Sequence, residues 1–217
     1  MSGVNIGIDQ MFRERRKHMR IQIRDWVHDS MVLKQQIYNS EAVVTQITGA
    51  AQILIDALCV HGPKILVCGN GGSSSDSAHF VGELMNRFTL LRDYPLPAID
   101  LSAMNSTITA IANDYSFEEI FAKQVRALGN ENDVLFAIST SGASSNIIRA
   151  IEVAWLKDMH VILLTGNMND FYKCYRPEEG YVHQIRVPST ETPLIQEAHI
   201  MIIHLLCKLI DTALEED

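Results

Sequence analysis

The stretch KILVC, residues 64–68, runs directly into GNGGSSSDSAHF, residues 69–80. A short apolar run meets Gly69, Asn70, Gly71 and Gly72, and then Ser73, Ser74, Ser75 and Asp76 stand where a helix would begin. Glycine permits positive φ and close backbone approach, and a helix start offers unpaired N–H groups. An anion placed there meets backbone donors, serine hydroxyls and the positive end of the helix dipole. The stretch therefore reads as strand, turn and helix with a binding mouth between them. It matches neither GxxxxGK[ST] nor GxGxxG, which argues against the nucleotide-binding loops. A tight turn capped by serine is the purely structural alternative.

Four further runs extend the pattern: PAIDL (97–101), DVLFAIS (133–139), HVILLT (160–165) and HQIRV (183–187). They are short and lack strict alternation, as strands covered on both faces do. Strands alternating with helical patterns predict a parallel α/β sheet. Upstream, about Ile8 to Tyr38 reads as a long polar-to-amphipathic helix. Val43 to Val60 reads as a second helix, stopped by His61-Gly62-Pro63. A helix from about Leu194 to Leu214 closes the chain. Ligands of open parallel sheets bind beyond the carboxyl ends of the strands. The loops after Cys68, Leu101, Ile138, Leu164 and Val187 are therefore the places to look.

The 217 residues suffice for one domain with a substantial core. Apolar residues make up 47% and charged residues 20%, which excludes disorder of the whole chain. The net charge of −8 is the wrong sign for a general phosphate-backbone binder, so direct nucleic-acid binding is not expected. No run approaches the ~18 uninterrupted apolar residues of a membrane helix, and the N-terminus does not resemble a signal peptide. The basic run Arg13, Arg15, Arg16, Lys17, Arg20 is interrupted by Glu14 and reads as a solvated helix face. Trp26 and Trp155 read as packing residues at core or subunit contacts. Cys59, Cys68, Cys174 and Cys207 have no CxxC spacing and read as buried thiols of a cytoplasmic protein.

Chemistry concentrates in three more places. STSGASSN (139–146) sets Ser139, Thr140, Ser141 and Ser144 around one glycine, a phosphate cradle without a lysine. Such loops taken singly are mostly helix caps. Two of them at strand ends of one sheet point to a phosphoester. His79 and Glu83, four apart, share a helix face and suit Zn²⁺ or acid–base work. In IQEAHIMIIHLL (195–206), Gln196 and His199 share a face, whereas His204 lies about 12 Å further along the axis. Spacing alone pairs Gln196 with His199. The structural alternative is that a lone histidine in an apolar helix belongs to the core.

The segments CGNGGSxxDxxHFxxE, IANDYSFEEIFAKQVRALG (111–129), STSGxSxN and IQExHxxxIH occur in that order. From about Val43 to Ile210 the chain resembles the phosphoheptose isomerases, or sedoheptulose 7-phosphate isomerases, of the sugar-isomerase (SIS) domain family. The resemblance implies a single SIS domain over 1–217, a three-layer α/β/α sandwich on a five-stranded parallel sheet, with 1–62 as an N-terminal helical extension. It implies that Asn70, Gly71, Gly72 and Ser73 hold the reacting end of the sugar. Asn113 and Asp114 would bind the sugar, and Ser139, Thr140, Ser141 and Ser144 the phosphate. His79, Glu83, Gln196 and His204 would be Zn²⁺ ligands, with Glu83 and Gln196 also at the substrate. The family thus selects His204 over His199. It further implies a homotetramer with active sites at subunit contacts. The implied reaction passes through an enediol, with Glu83 as base and His204 as acid. It makes D-glycero-D-manno-heptose 7-phosphate for the ADP-heptose of lipopolysaccharide.

Two places depart from the family pattern. Pro193 stands where the family often has an acidic residue, and NMNDFYKCYRPEEG (167–180) replaces a usual Asp-Gly-Gly. The DnaA-initiator-associating protein offers a competing resemblance: a non-catalytic tetrameric scaffold with a similar AKQVRALG segment. It characteristically lacks the full metal set. A third reading is a regulator that senses a sugar phosphate through the serine loops.

Overall fold

Each of the five apolar runs forms a strand, within a residue or so of the expected bounds. The computed structural model describes residues 3–60, 62–167 and 182–215, with side-chain surroundings from residue 11 onward. The strands are β1 (Ile65–Gly69), β2 (Ala98–Asp100), β3 (Val134–Ser139), β4 (His160–Thr165) and β5 (His183–Arg186). The helices are α1 (Gly3–Asn39), α2 (Glu41–Cys59), α3 (Gly72–Met85), α4 (Asn105–Asp114), α5 (Glu119–Leu128), α6 (Ser145–Trp155) and α7 (Thr192–Glu215). All four strand pairings are parallel, in the order β2-β1-β3-β4-β5.

Why the runs lacked alternation is now visible. Every residue of β1 and β3 is buried. Ile65, Val67, Phe136, Ile138, Ile162 and Leu164 face a core built with α2, α3 and α7. Their neighbours Leu66, Cys68, Leu135, Ala137, Val161 and Leu163 face a second core with α5 and α6. Successive side chains point to opposite faces, so apolar residues are needed at every position.

The strand order reverses direction of growth between β1 and β3, which is where a crevice opens in sheets of this order. Gly69 at the end of β1 pairs with Ile138 near the end of β3. The glycine loop and the Ser/Thr loop are therefore neighbours at this switch point.

The helix ends follow local chemistry. Ser40 caps α2, its hydroxyl accepting from Val43 N at 3.3 Å. The chain leaves α2 at Val60 in extended conformation, ahead of Gly62 at φ 125° and Pro63. By length and hydropathy alone α2 and α7 would pass as membrane spans. Both contribute residues to the first core, as core helices do.

Cys68 and Cys207 are buried thiols, as expected, but Cys59 is exposed. It ends α2, past the helix's last buried residue, Ala57, so its apolar neighbours did not imply burial. Cys174 and nearly all of the departing loop 167–180 lie outside the described residues.

Candidate active site

Two helices begin at the switch point, and neither is capped by a side chain. Gly71 precedes α3 at φ 56°, a left-handed conformation that favours glycine. Ser144 precedes α6 in extended conformation, but its hydroxyl makes no cap hydrogen bond. Instead Ser144 Oγ lies 3.2 Å from Ser139 Oγ, and Gly142 N donates to Ser139 Oγ at 3.2 Å. Ser141 Oγ accepts from Ala143 N at 3.1 Å. Thr140 is half-buried beside them, its carbonyl accepting from Gly166 N at 3.0 Å. The serine-cap explanation of these loops therefore fails at both helices. Ser73 N and Ser74 N donate back to Asn70 O and Gly71 O, and Ile147 N to Ser144 O, which leaves the N–H groups of Gly72, Ser145 and Asn146 to face an anion.

The glycine loop is braced from β2. Asp100 Oδ1 accepts from Ser77 Oγ at 2.6 Å and Ser102 N at 2.8 Å. Ser102 Oγ accepts from Gly69 N and donates to Gly69 O, both at 3.1 Å. Ser73 is 3% exposed and packs over Gly69. Asn70 and Asn146 exchange amide hydrogen bonds of 2.8 and 2.9 Å across the switch point.

The histidines come from α3 and α7, which pack side by side. His79 Nε2 lies 3.0 Å from His204 Nε2 and 3.3 Å from Glu83 Oε1. Phe88 covers His204, ring centroids 5.3 Å apart. Gln196 lies over the start of α3, where a Cβ on Gly72 would collide with its amide. Asp76, one turn before His79, has a buried Oδ2 without a hydrogen-bond partner. Burial pushes its carboxyl up to about 6, opposed by His79.

Spacing favoured His199 as the partner of Gln196, and the structure overturns that. His199 is 0% exposed, with the Thr165 backbone as its polar neighbour. Burial lowers its pKa to about 4, so the ring is neutral. It is a core histidine, and His204 is the one that meets α3.

Asn113 and Asp114 lie exposed at the end of α4, with Asn113 Nδ2 donating to Asp114 Oδ1 at 2.8 Å. Among the described residues no hydrogen bond links them to the other candidates. No residue of α4 is buried. Pro193 occupies the first turn of α7, where a missing N–H is tolerated.

A phosphoheptose isomerase of Chromohalobacter salexigens is 47% identical over 197 residues, covering 90% of this chain and 98% of its own length. The model of the SIS domain family matches residues 25–166. This chain belongs to the phosphoheptose isomerase family of SIS domains. Solved members agree with that placement. The structure of a phosphoheptose isomerase from Francisella tularensis has a TM-score of 0.80 at 41% identity, covering 89% of this chain and 98% of that one. One from Neisseria gonorrhoeae has a TM-score of 0.80 at 37% identity, covering 89% and 99%.

Sequence reasoning passed over Asn146, although it is the last letter of STSGASSN. It also passed over Arg92. That guanidinium is 2% exposed and donates to Asp211 Oδ1 at 2.8 Å, to Glu83 O at 3.2 Å and to Tyr94 O. Asp211 Oδ2 also accepts from Thr89 N and Oγ1. This buried pair ties the Glu83 turn of α3 to α7.

A metal site was expected at His79, Glu83, Gln196 and His204. Among the described residues no three His, Cys, Asp or Glu side chains form a group ready to hold an ion. The contacts close in pairs through His79. The donor types nonetheless suit Zn²⁺, which takes imidazole nitrogen and carboxylate oxygen. The 3.0 Å between the two Nε2 atoms approaches the roughly 3.3 Å separating tetrahedral ligands at ~2 Å from zinc.

Proposed function

We propose that this chain converts sedoheptulose 7-phosphate to D-glycero-D-manno-heptose 7-phosphate. The carrying observation is the pairing of His79 with Glu83 and with His204, on the helix that begins at the glycine loop, in a chain of this family. A non-catalytic scaffold for DnaA would not need those paired side chains.

Substrate phosphate would sit at the start of α6, held by Ser139, Thr140, Ser141 and Ser144. The sugar's carbonyl end would lie at Asn70, Gly71 and Gly72, within reach of α3 and α7. Isomerisation moves one hydrogen from C1 to C2 and one hydroxyl proton from O1 to O2. Glu83 takes the C1 proton and His204 protonates the developing O2 hydroxyl, giving the enediol. Return of a proton to C2 and loss of the O1 proton complete the aldose. His79 contacts both groups and holds them in register. His79, Glu83, Gln196 and His204 would hold Zn²⁺, which when bound supplies polarisation of the substrate oxygens. Asn113 and Asp114, exposed at the end of α4, would bind the sugar.

The same reading makes the protein a cytoplasmic homotetramer supplying heptose for ADP-heptose and lipopolysaccharide. Exposed Phe12, Met19, Ile23, Trp26 and Met31 on α1 and the unburied α4 support an assembly that covers them.

Turnover of sedoheptulose 7-phosphate by the purified chain, with and without added Zn²⁺, tests the reading by chromatographic separation of the two heptose phosphates. Conversion is expected, and Glu83→Gln should abolish it while sugar-phosphate binding persists. No conversion by folded, zinc-loaded protein would leave the scaffold or the sugar-phosphate sensor in its place.

A further inference from the structure

The loop after β1 and the helix after β3 are joined by two side chains 76 residues apart. Asn70 Nδ2 donates to Asn146 Oδ1 at 2.8 Å, and Asn146 Nδ2 donates back to Asn70 Oδ1 at 2.9 Å. Asn146 is 2% exposed, whereas Asn70 is half-buried at the mouth. A primary amide carries two N–H donors and an oxygen with two lone pairs. Each partner therefore uses half of its capacity in the pair. The spare N–H and lone pair of Asn70 point in directions set by the buried partner.

We infer that Asn146 is a positioning residue for the isomerisation: it aims the Asn70 amide at the sugar and fixes the glycine loop against the Ser/Thr loop. The inference rests on the isomerase reading above. Asn146 lies two residues past Ser144, in the first turn of α6. One amide pair thus spans the junction between the proposed sugar end and the proposed phosphate end. Asn146 acts through Asn70 and has no contact of its own with the reacting carbons. Its loss should spare phosphate binding and misplace the rest of the sugar.

The test is a double-mutant cycle in the full-length, zinc-loaded chain. Asn146→Ala and Asn146→Asp are made alone and in an Asn70→Ala background. The cycle is read as kcat/KM for sedoheptulose 7-phosphate, and as its calorimetric Kd where turnover is too slow. Inorganic phosphate is titrated as a competitive inhibitor. In the natural background kcat/KM should fall about tenfold or more, as expected for loss of a buried hydrogen-bonded pair. The inhibition constant for phosphate should change by less than about twofold, because the Ser/Thr loop keeps its own contacts. In the Asn70→Ala background Asn146→Ala should cause no further loss.

Asn146→Asp keeps the side-chain volume and still accepts from Asn70 Nδ2 but cannot return the N–H, so its loss should be smaller than that of Asn146→Ala. An equal loss in both backgrounds would overturn the inference, as would unchanged kcat/KM in Asn146→Ala. The unmodified chain runs alongside. If it fails to isomerise the sugar, the isomerase reading has failed; if it turns over and the cycle shows no coupling, only this inference has.

Discussion

α1 and α7 are both long helices with apolar residues along their length, yet this chain buries only one of them. α7 places Ile195, Ala198, Ile202, Ile203, Leu206 and Ile210 in the first core. On α1 every residue from 11 to 29 is exposed, and burial starts only at Ser30, Leu33 and Ile37. At 37 residues α1 extends about 55 Å, longer than the sheet it leaves can cover. The apolar period forms both helices, but contact with the sheet and α3 decides which one the chain itself packs. The exposed half of α1 suits burial by other chains.

The contrast predicts large effects on α7 and small ones on α1. Asp211→Ala should cost most, about 3–5 kcal/mol in urea melts, because Arg92 is left buried and unpaired. Replacing Arg92 and Asp211 together by Met and Leu should recover most of that loss. A double variant as unstable as Asp211→Ala would show that more than the ion pair is at stake.

His199→Leu should change the acid limb of stability. The folded pKa of His199 is about 4, below the ordinary 6.5. Between those values the unfolded chain takes up a proton that the folded chain refuses, so stability falls as pH drops from 6.5 to 4. The loss is roughly 3 kcal/mol. Thermal melts from pH 7.5 to 4 should show a shallower decline for the variant, and parallel curves would remove His199 as the cause.

Deleting residues 1–28 should alter the stability of the chain itself by only about 1 kcal/mol, since no described side chain removed is buried. Light scattering should nonetheless report a smaller particle, if other copies cover α1 as proposed. The smallest effect is expected of Trp26→Phe. It removes the indole hydrogen bond of 3.0 Å to Glu197, while Ser30 still donates to that carboxylate. About 0.5–1 kcal/mol is the expected cost at this exposed link between α1 and α7. A larger loss, or one that tracks particle mass, would place Trp26 in a subunit contact.

Much of the site could be read in the chain because it is local. The glycine turn between β1 and α3, the Ser/Thr loop before α6, and His79 four residues before Glu83 all follow from adjacent letters. Asn70–Asn146 and Arg92–Asp211 could not be read that way. Each joins segments far apart in sequence, and neither partner's own neighbours announce the other. Cys59 misled for a related reason: an apolar run near a helix end says little about which face its last residue takes.

The two histidines of α7 separate what the sequence determined from what the tertiary structure decided. Periodicity alone establishes the parallel sheet, the helices between its strands and the two loops at their ends. It also places His199 about 60° to one side of Gln196 around the helix and His204 about 80° to the other. That arithmetic, with His199 the nearer along the axis, prefers the wrong side. The sheet takes the His199 side into the core and leaves it neutral, and α3 brings His79 to the His204 side at 3.0 Å. Spacing orients side chains about their own helix axis, and only packing against a second element says which of those directions holds a partner.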